Sequence, residues 1–226
     1  MELKKIQETK NFVTVLKNNG LFFLGKIFIY EAIYTINNGF YSFASVPLEN
    51  LKIDSENIKS GIPYQPTFYY FFKKAMKGIN NENINFRDSC FIEFGCGTGR
   101  VLNMAQSYNF NKIIGVEFAE ELVSICNEKI KSYNHKNIEV YKMDASIYKI
   151  PEDANVMFFN NPFDDKIMLK VIENIRLSYN QKSRIIYIIY LNPMQKNCFI
   201  ANGYKEIFSF HNKEIQRISI LKFKIE

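Results

Sequence analysis

Acids and glycines that close apolar runs are the residues of this chain best suited to chemistry. Phe91-Ile92-Glu93-Phe94-Gly95-Cys96-Gly97-Thr98-Gly99-Arg100 joins a strand-like run, an acid and three alternate glycines. Such glycines let the backbone take dihedrals closed to other residues and approach a ligand where a Cβ would collide. Loops that cradle the pyrophosphate of a dinucleotide use G-x-G-x-x-G and place their acid about 20 residues later. Here the acid precedes a G-x-G-x-G, which points to a nucleoside cofactor of another kind. A second acid, Glu117, ends the run Ile113-Ile114-Gly115-Val116-Glu117-Phe118. An acid closing an apolar strand is costly unless solvated or paired, and a carboxylate can accept both ribose hydroxyls at once. Asp144-Ala145 offers an acid for an adenine amine, and Asn160-Asn161-Pro162-Phe163 a fourth polar turn. Taken singly, Glu93 reads equally as a group that bonds the loop amides, and Asp144 as an ordinary turn residue. Four strand ends with suitable polar groups in the right order argue for one site.

The elements that must position these residues follow from periodicity. A helix is expected from Gln65-Pro66-Thr67 to Gly78, with proline in its first turn and Phe68, Phe71, Phe72, Ala75 and Met76 at helical spacing. Strands and helices then alternate: strand 90–94, helix 100–107, strand 112–117, helix 120–133, strands 138–143 and 156–160, helix 165–179, strand 184–191. Regular alternation predicts a parallel sheet with helices on both faces. Runs 204–210 and 215–225, linked by His211-Asn212-Lys213, are too close for a crossover helix and must pair antiparallel. The expected fold is α/β, a Rossmann-like seven-stranded, mostly parallel sheet with an antiparallel C-terminal hairpin and an N-terminal helical extension. In an open α/β sheet ligands sit outside the carboxyl ends of the strands, where the polar groups fall.

The chain of 226 residues is long enough for one domain with a real core. We expect residues 1–63 to form a helical or irregular extension acting as a lid, and 64–226 the catalytic domain. Four cysteines without paired metal spacing, and no cleavable leader, give an expectation of reduced thiols in a cytoplasmic protein with no metal site. His135 and His211 lie in polar loops without a partner acid and are given no role. The net charge of +6 is uneven: from Gln181 onward there are eight Lys and Arg against three Asp and Glu. No arginine cluster interleaves with aromatics there, so a solvated edge is expected and nucleic acid is an unlikely partner. Residues 20–36 are apolar but interrupted by Lys26 and Glu31, short of the roughly 20 clean residues of a membrane span. They read as a helix packed on the domain or in an interface, with a membrane-surface helix as a weaker option.

From about Tyr64 to its end the chain resembles the class I S-adenosylmethionine-dependent methyltransferases. Glu93, Gly95, Gly97 and Gly99 match that family's first motif, Glu117 its ribose-binding acid and Asp144 its adenine-side acid. The resemblance implies S-adenosyl-L-methionine as cofactor. It implies a site built from Tyr64, Gln65, Thr67, Glu93, Phe94, Gly95, Cys96, Gly97, Gly99, Glu117, Phe118, Asp144, Ala145, Asn160 and Pro162. The turn 160–163 is similar to the Asn-Pro-Pro-aromatic turn of enzymes that methylate amide or amine nitrogens, with Asn161 in place of the first proline. That likeness makes Asn160 and Phe163 the candidate catalytic pair. Tyr64-Gln65-Pro66-Thr67 resembles the gate of the seven-strand lysine methyltransferases. The expected activity is methyl transfer to a protein lysine or other amine nitrogen. A small-molecule O- or N-methyltransferase, or a binding protein that keeps the fold without turnover, are the alternatives.

Overall fold

The computed structural model describes residues 2–38, 66–133, 136–212 and 215–224. Seven strands form one sheet: β1 (Cys90–Phe94), β2 (Lys112–Glu117), β3 (Ile138–Lys142), β4 (Ala154–Asn160), β5 (Ile186–Leu191), β6 (Lys205–Asn212) and β7 (Gln216–Phe223). Their spatial order is β3-β2-β1-β4-β5-β7-β6. The first five are mutually parallel, and β7 runs antiparallel to both β5 and β6. Helices α1 (Glu2–Asn38), α2 (Tyr69–Asn80), α3 (Arg100–Gln106), α4 (Glu120–Ser132), α5 (Asp165–Gln181) and α6 (Lys196–Ala201) complete the fold. The expected architecture is present, including the hairpin. Strand order reverses between β1 and β4, which opens the crevice where such sheets bind ligands.

Side chains alternate across a strand, so residue parity assigns each to a face. Phe91, Ile113, Val156 and Phe158 pack in the core layer that contains Phe72 and Met76 of α2 and Leu102 of α3. Ile92, Phe94, Ile114, Val116, Met157 and Phe159 fill the other layer, with Val171 and Ile172 of α5 and Phe199 of α6. Glu93, Glu117 and Asn160 share parity with the first set. All three therefore lie on the α2–α3 side, at the strands' carboxyl ends.

Four details differ from expectation. The helix expected from Gln65 begins at Tyr69, so Pro66 and Thr67 precede it. The chain 196–201 forms α6, a helix too short to leave a periodic signal. His211 and Asn212 belong to β6 rather than to the turn. Arg184 lies ahead of β5, where its guanidinium donates to the carbonyls of Pro151, Ala154, Ser178 and Lys182. Much of the basic C-terminal charge is likewise spent on structure: Lys196 pairs with Glu206 and Lys222 with Glu82.

The N-terminal helix is broken at Gly20, whose φ of 76° and ψ of 152° leave helical space. Its second half docks through one buried group. Glu31 accepts a charge-assisted hydrogen bond from Arg100 at the start of α3, and its other oxygen accepts the Tyr69 amide N–H at the start of α2. The N-cap position of α2 has no side-chain cap of its own, so Glu31 supplies the missing acceptor from a distant part of the chain. Arg100 is 2 % exposed, lies 4.7 Å over the Tyr34 ring, and also donates to the Thr67 carbonyl at 2.9 Å. Tyr34 in turn accepts from Asn103 Nδ2 at 2.7 Å. Burial outweighs Arg100 in setting the Glu31 carboxyl, which is held above its ordinary value. Desolvation therefore cancels much of the Coulomb gain, as is usual for buried pairs, and what the pair secures is position. Breaking it on one side, with Glu31→Ala, is expected to cost about 3–5 kcal/mol in urea denaturation. Glu31→Leu combined with Arg100→Met is expected to recover most of that loss.

Candidate functional site

The turn after β1 is held by its neighbour strand. The amides of Gly95 and Cys96 both donate to the Val116 carbonyl, at 2.8 and 3.2 Å, and Gly99 N–H closes the turn on Cys96 O at 2.9 Å. Gly95 has a φ of 74° and Gly99 one of 79°, a region L side chains rarely adopt. Space forbids a side chain as well. A Cβ on Gly95 would stand 2.9 Å from Pro162 Cβ, and one on Gly99 2.3 Å from Cys126 Sγ. The first contact ties the β1 turn to the turn after β4, and the second ties it to α4.

Glu117 has closed on this turn. Its Oε2 accepts the Gly97 amide at 2.9 Å, and its Oε1 accepts the amides of Phe118 and Ala119 at 2.9 and 3.0 Å. A carboxylate offers roughly four lone-pair sites, so one remains, on Oε2. One ribose hydroxyl fits the side chain as it stands. The expected two-hydroxyl grip requires the Gly97 amide to release its oxygen. Burial holds the Glu117 carboxyl above its ordinary value against the pull of those three amides.

Glu93 is more exceptional. It is buried, its carboxyl is pushed well up by desolvation and by the neighbouring Cys126 and Glu117, and its Oε2 has no hydrogen-bond partner. An unpaired buried acceptor costs free energy that a ligand donor would recover. Two adjacent desolvated carboxyls call for a cation, and S-adenosylmethionine carries an ammonium and a sulfonium. The residues present thus fit that group.

Asp144 lies in the turn after β3, where its Oδ1 accepts the Ser146 amide at 2.8 Å, with Ala145 buried beside it. Met143 N–H donates to Glu117 O at 2.8 Å, so the ends of β2 and β3 sit together. Asn160, at the end of β4, donates through Nδ2 to Thr67 Oγ1 at 3.1 Å. Thr67 also supplies the carbonyl that Arg100 holds, so the segment entering α2 is joined to both crevice walls. Tyr64 and Gln65 lie outside the described residues.

Three expected site side chains are elsewhere. Phe94 is stacked on Phe159, ring centroids 5.0 Å apart, in the core layer away from Glu93. It follows Glu93 directly, so strand alternation turns it to the opposite face. The Cys96 thiol is buried in the α3 layer beside Cys126. Phe163 is 7 % exposed and packs among the side chains of α5; burying a full aromatic ring outweighs exposing it. Asn161 explains its own departure from the Asn-Pro-Pro turn. Its φ is 46°, open to asparagine and closed to proline, and its Oδ1 accepts the Tyr190 hydroxyl at 3.3 Å. Sequence reading missed Glu31, Tyr34 and Arg100. One signal was present: a cation in the first turn of a helix opposes the helix dipole and needs an acid from elsewhere.

Comparison with known proteins agrees with this geometry. Residues 87–172 match the sequence model of a family described as "Putative methyltransferase". An uncharacterized protein of Methanocaldococcus jannaschii is 25% identical over 172 residues, covering 63% of this chain and 75% of its own. Among solved structures, a ribosomal protein L11 methylase from Lactobacillus delbrueckii subsp. bulgaricus superposes with a TM-score of 0.55 at 14% identity, covering 72% of this chain and 91% of its own. A SAM-dependent methyltransferase from Aquifex aeolicus gives 0.54 at 14%, with 68% and 97% covered. An RNA methyltransferase from Salinibacter ruber, solved with S-adenosyl-L-homocysteine, gives 0.54 at 15%, with 71% and 95% covered. The sheet order and these likenesses define the fold as that of the class I methyltransferases.

Two outcomes are expected. Glu117→Ala should cost about 1.5–3 kcal/mol of S-adenosylhomocysteine affinity by calorimetry, the range for hydrogen bonds to a charged group. Burial pushes the Glu93 carboxyl well up and so favours its protonated form, whereas a ligand ammonium favours its ionised form. Binding should therefore release a proton, and affinity should rise with pH toward the raised Glu93 value. Titration in buffers of different ionisation enthalpy reads this directly, and Glu93→Gln should abolish the release.

Proposed function

We propose that this chain, a class I S-adenosylmethionine-dependent methyltransferase, transfers its methyl group to an amine nitrogen, on a protein lysine or a comparable amine. The observation that carries the reading is Asn160, fixed by Thr67 at the end of β4, beside the β1 turn. Donation by Nδ2 to Thr67 sets which end of the amide is nitrogen. The carbonyl end is by type an acceptor, suited to a proton-bearing nitrogen whose lone pair must point at the methyl carbon.

When bound, the cofactor supplies a methyl group on a sulfonium, which is already a good leaving group. The protein's part is alignment and exclusion of water. Glu93 takes the ammonium of the methionine part and Glu117 a ribose hydroxyl, with Asp144 on the adenine side. Thr67 and Asn160 border the acceptor. The N-terminal segment serves as a wall: Glu31 and Tyr34 hold Arg100 and, through it, Thr67, at the entrance.

The left-handed Asn161 gives the turn its own backbone path, so the support for an amine rests on Asn160 and not on likeness to an Asn-Pro-Pro turn. RNA belongs among the acceptors to be assayed, since a similar structure is named an RNA methyltransferase. Small-molecule hydroxyls and amines belong there too. The test measures S-adenosylhomocysteine release against pooled proteins, RNA and metabolites. Release with proteins or amines, and methyl-lysine in the product, is the expected result; release with RNA or with hydroxyl compounds alone refutes it. On the acceptor so found, Asn160→Ala should lower turnover ten- to a hundredfold, on the order of 1.4–3 kcal/mol, with S-adenosylhomocysteine affinity unchanged. Equal loss of both would assign the turn to the cofactor pocket and remove the argument for an amine.

A further inference from the structure

Among the described residues, none packs on the outer face of α1. Leu21 (77%), Phe22 (89%), Phe28 (74%), Ile29 (57%), Ile33 (50%) and Ile36 (80%) stand exposed on it. At 100° per residue they occupy one arc, opposite the buried Ile27, Glu31 and Tyr34. From Leu21 to Ile36 the stripe runs about 23 Å at 1.5 Å per residue. A contiguous apolar surface of this kind marks an interaction site in a monomer.

Charge beside the stripe narrows the partner. Glu31 is the sole acid between Gly20 and Asn38, and it is turned inward onto Arg100. The outward surface of this segment therefore carries no anion. Along one border lies a cleft of ≈ 490 Å³ between α1 and α2, reaching Phe86 and Tyr108, which takes in Lys26, Lys73, Lys74 and Lys77 and no acid. Tyr30 and Tyr70 stand among them, with Lys73 Nζ 5.3 Å over the Tyr30 ring and Lys26 Nζ 5.5 Å over the Tyr70 ring. An apolar helical stripe edged by lysines and tyrosines is the pattern of a helix lying in a bilayer interface, with rings at headgroup depth and ammonium groups on lipid phosphates. A second copy presenting this same face would match the apolar half of the surface but would bring no carboxylate to its lysines. Nor is α1 a span: no described helix is long and apolar enough to cross a membrane.

We propose that the exposed face of α1, with the lysine cleft beside it, binds the surface of an anionic lipid bilayer. The apolar side chains enter the acyl boundary and Lys26, Lys73 and Lys77 take phosphate headgroups. This mode of attachment leaves the carboxyl ends of β1, β2 and β4 uninvolved, since the surface uses the outward side of the helix whose inward side holds Arg100.

The test is co-sedimentation of the full chain with vesicles of phosphatidylcholine, with and without phosphatidylserine, across a salt series. Wild type should pellet with the anionic vesicles and release as salt rises. Phe22→Glu with Phe28→Glu should weaken binding at least about tenfold, given the cost of placing charge below the headgroups. Lys26→Glu with Lys73→Glu should erase the preference for anionic lipid. S-adenosylhomocysteine affinity and melting temperature, measured on every variant, should match wild type; a variant that fails this check is replaced by Phe22→Ser with Phe28→Ser. Equal pelleting by wild type and variants, or none by wild type, overturns the proposal. So does a dimer in sedimentation velocity that Phe22→Glu with Phe28→Glu converts to monomer, which would assign the face to a second copy. Binding of a single-stranded polynucleotide through the same lysines, without lipid binding, also overturns it.

Discussion

A guanidinium buried in the first turn of α3 is the constraint around which the crevice is arranged. Arg100 follows the glycine turn directly, so the turn cannot settle until that charge is neutralised. A helix N-terminus repels it, and the sheet beneath is apolar. The neutralising acid comes from 69 residues upstream. Placing Glu31 there draws in α1, lays Tyr34 over the guanidinium, caps α2 through Tyr69 and sets the Thr67 carbonyl on Arg100 Nε. Thr67 then reaches Asn160 across the crevice. One desolvated ion pair thereby links the N-terminal helix to two turns of the Rossmann-like sheet, and it does so by fixing geometry more than by adding stability.

The crevice itself is built from an electrostatic deficit. Glu93 lies close enough to Glu117 to feel its charge, both carboxyls are desolvated, and the hydrogen bonds of Glu117 all come from backbone amides. Arg100 is committed to Glu31. A pair of acids left in this way is poor for the isolated fold and good for a cationic ligand, since the desolvation has already been spent in folding. The amides that Glu117 borrows from Gly97, Phe118 and Ala119 keep that acid oriented in the meantime.

Much of this was legible because residue types and spacing carry geometry. An acid closing an apolar run stood out at Glu93 and again at Glu117, whereas the shared face of the two follows from the strand bounds. The glycine turn followed from residue types and their spacing, the parallel strands from regular alternation with helices, and the terminal hairpin from its short link. What stayed hidden had no periodic signature. The ring of Phe163 reads from sequence as part of a turn, yet burial draws it into the core. Asn161 reads as a replaced proline, whereas a φ of 46° makes asparagine the fitting residue and proline the impossible one. Glu31 reads from sequence only as an interruption that argues against a membrane span; its partner is too distant in sequence for any local pattern to reveal.

The order of the last strands carries a consequence for how the chain reaches this state. β7 lies between β5 and β6, although it is the last of the three to be made. As the ribosome releases the chain, β5 stands with one side open and β6 has no neighbour to join. Only when residues 216–223 emerge can the gap be filled, pairing Ile188 with Leu221 on one side and Phe208 with Ile220 on the other. The sheet thus closes from its terminus inward in a single late step, and until then the open edge of β5, an unbroken apolar strand, is the part of the nascent chain most in need of protection from other chains.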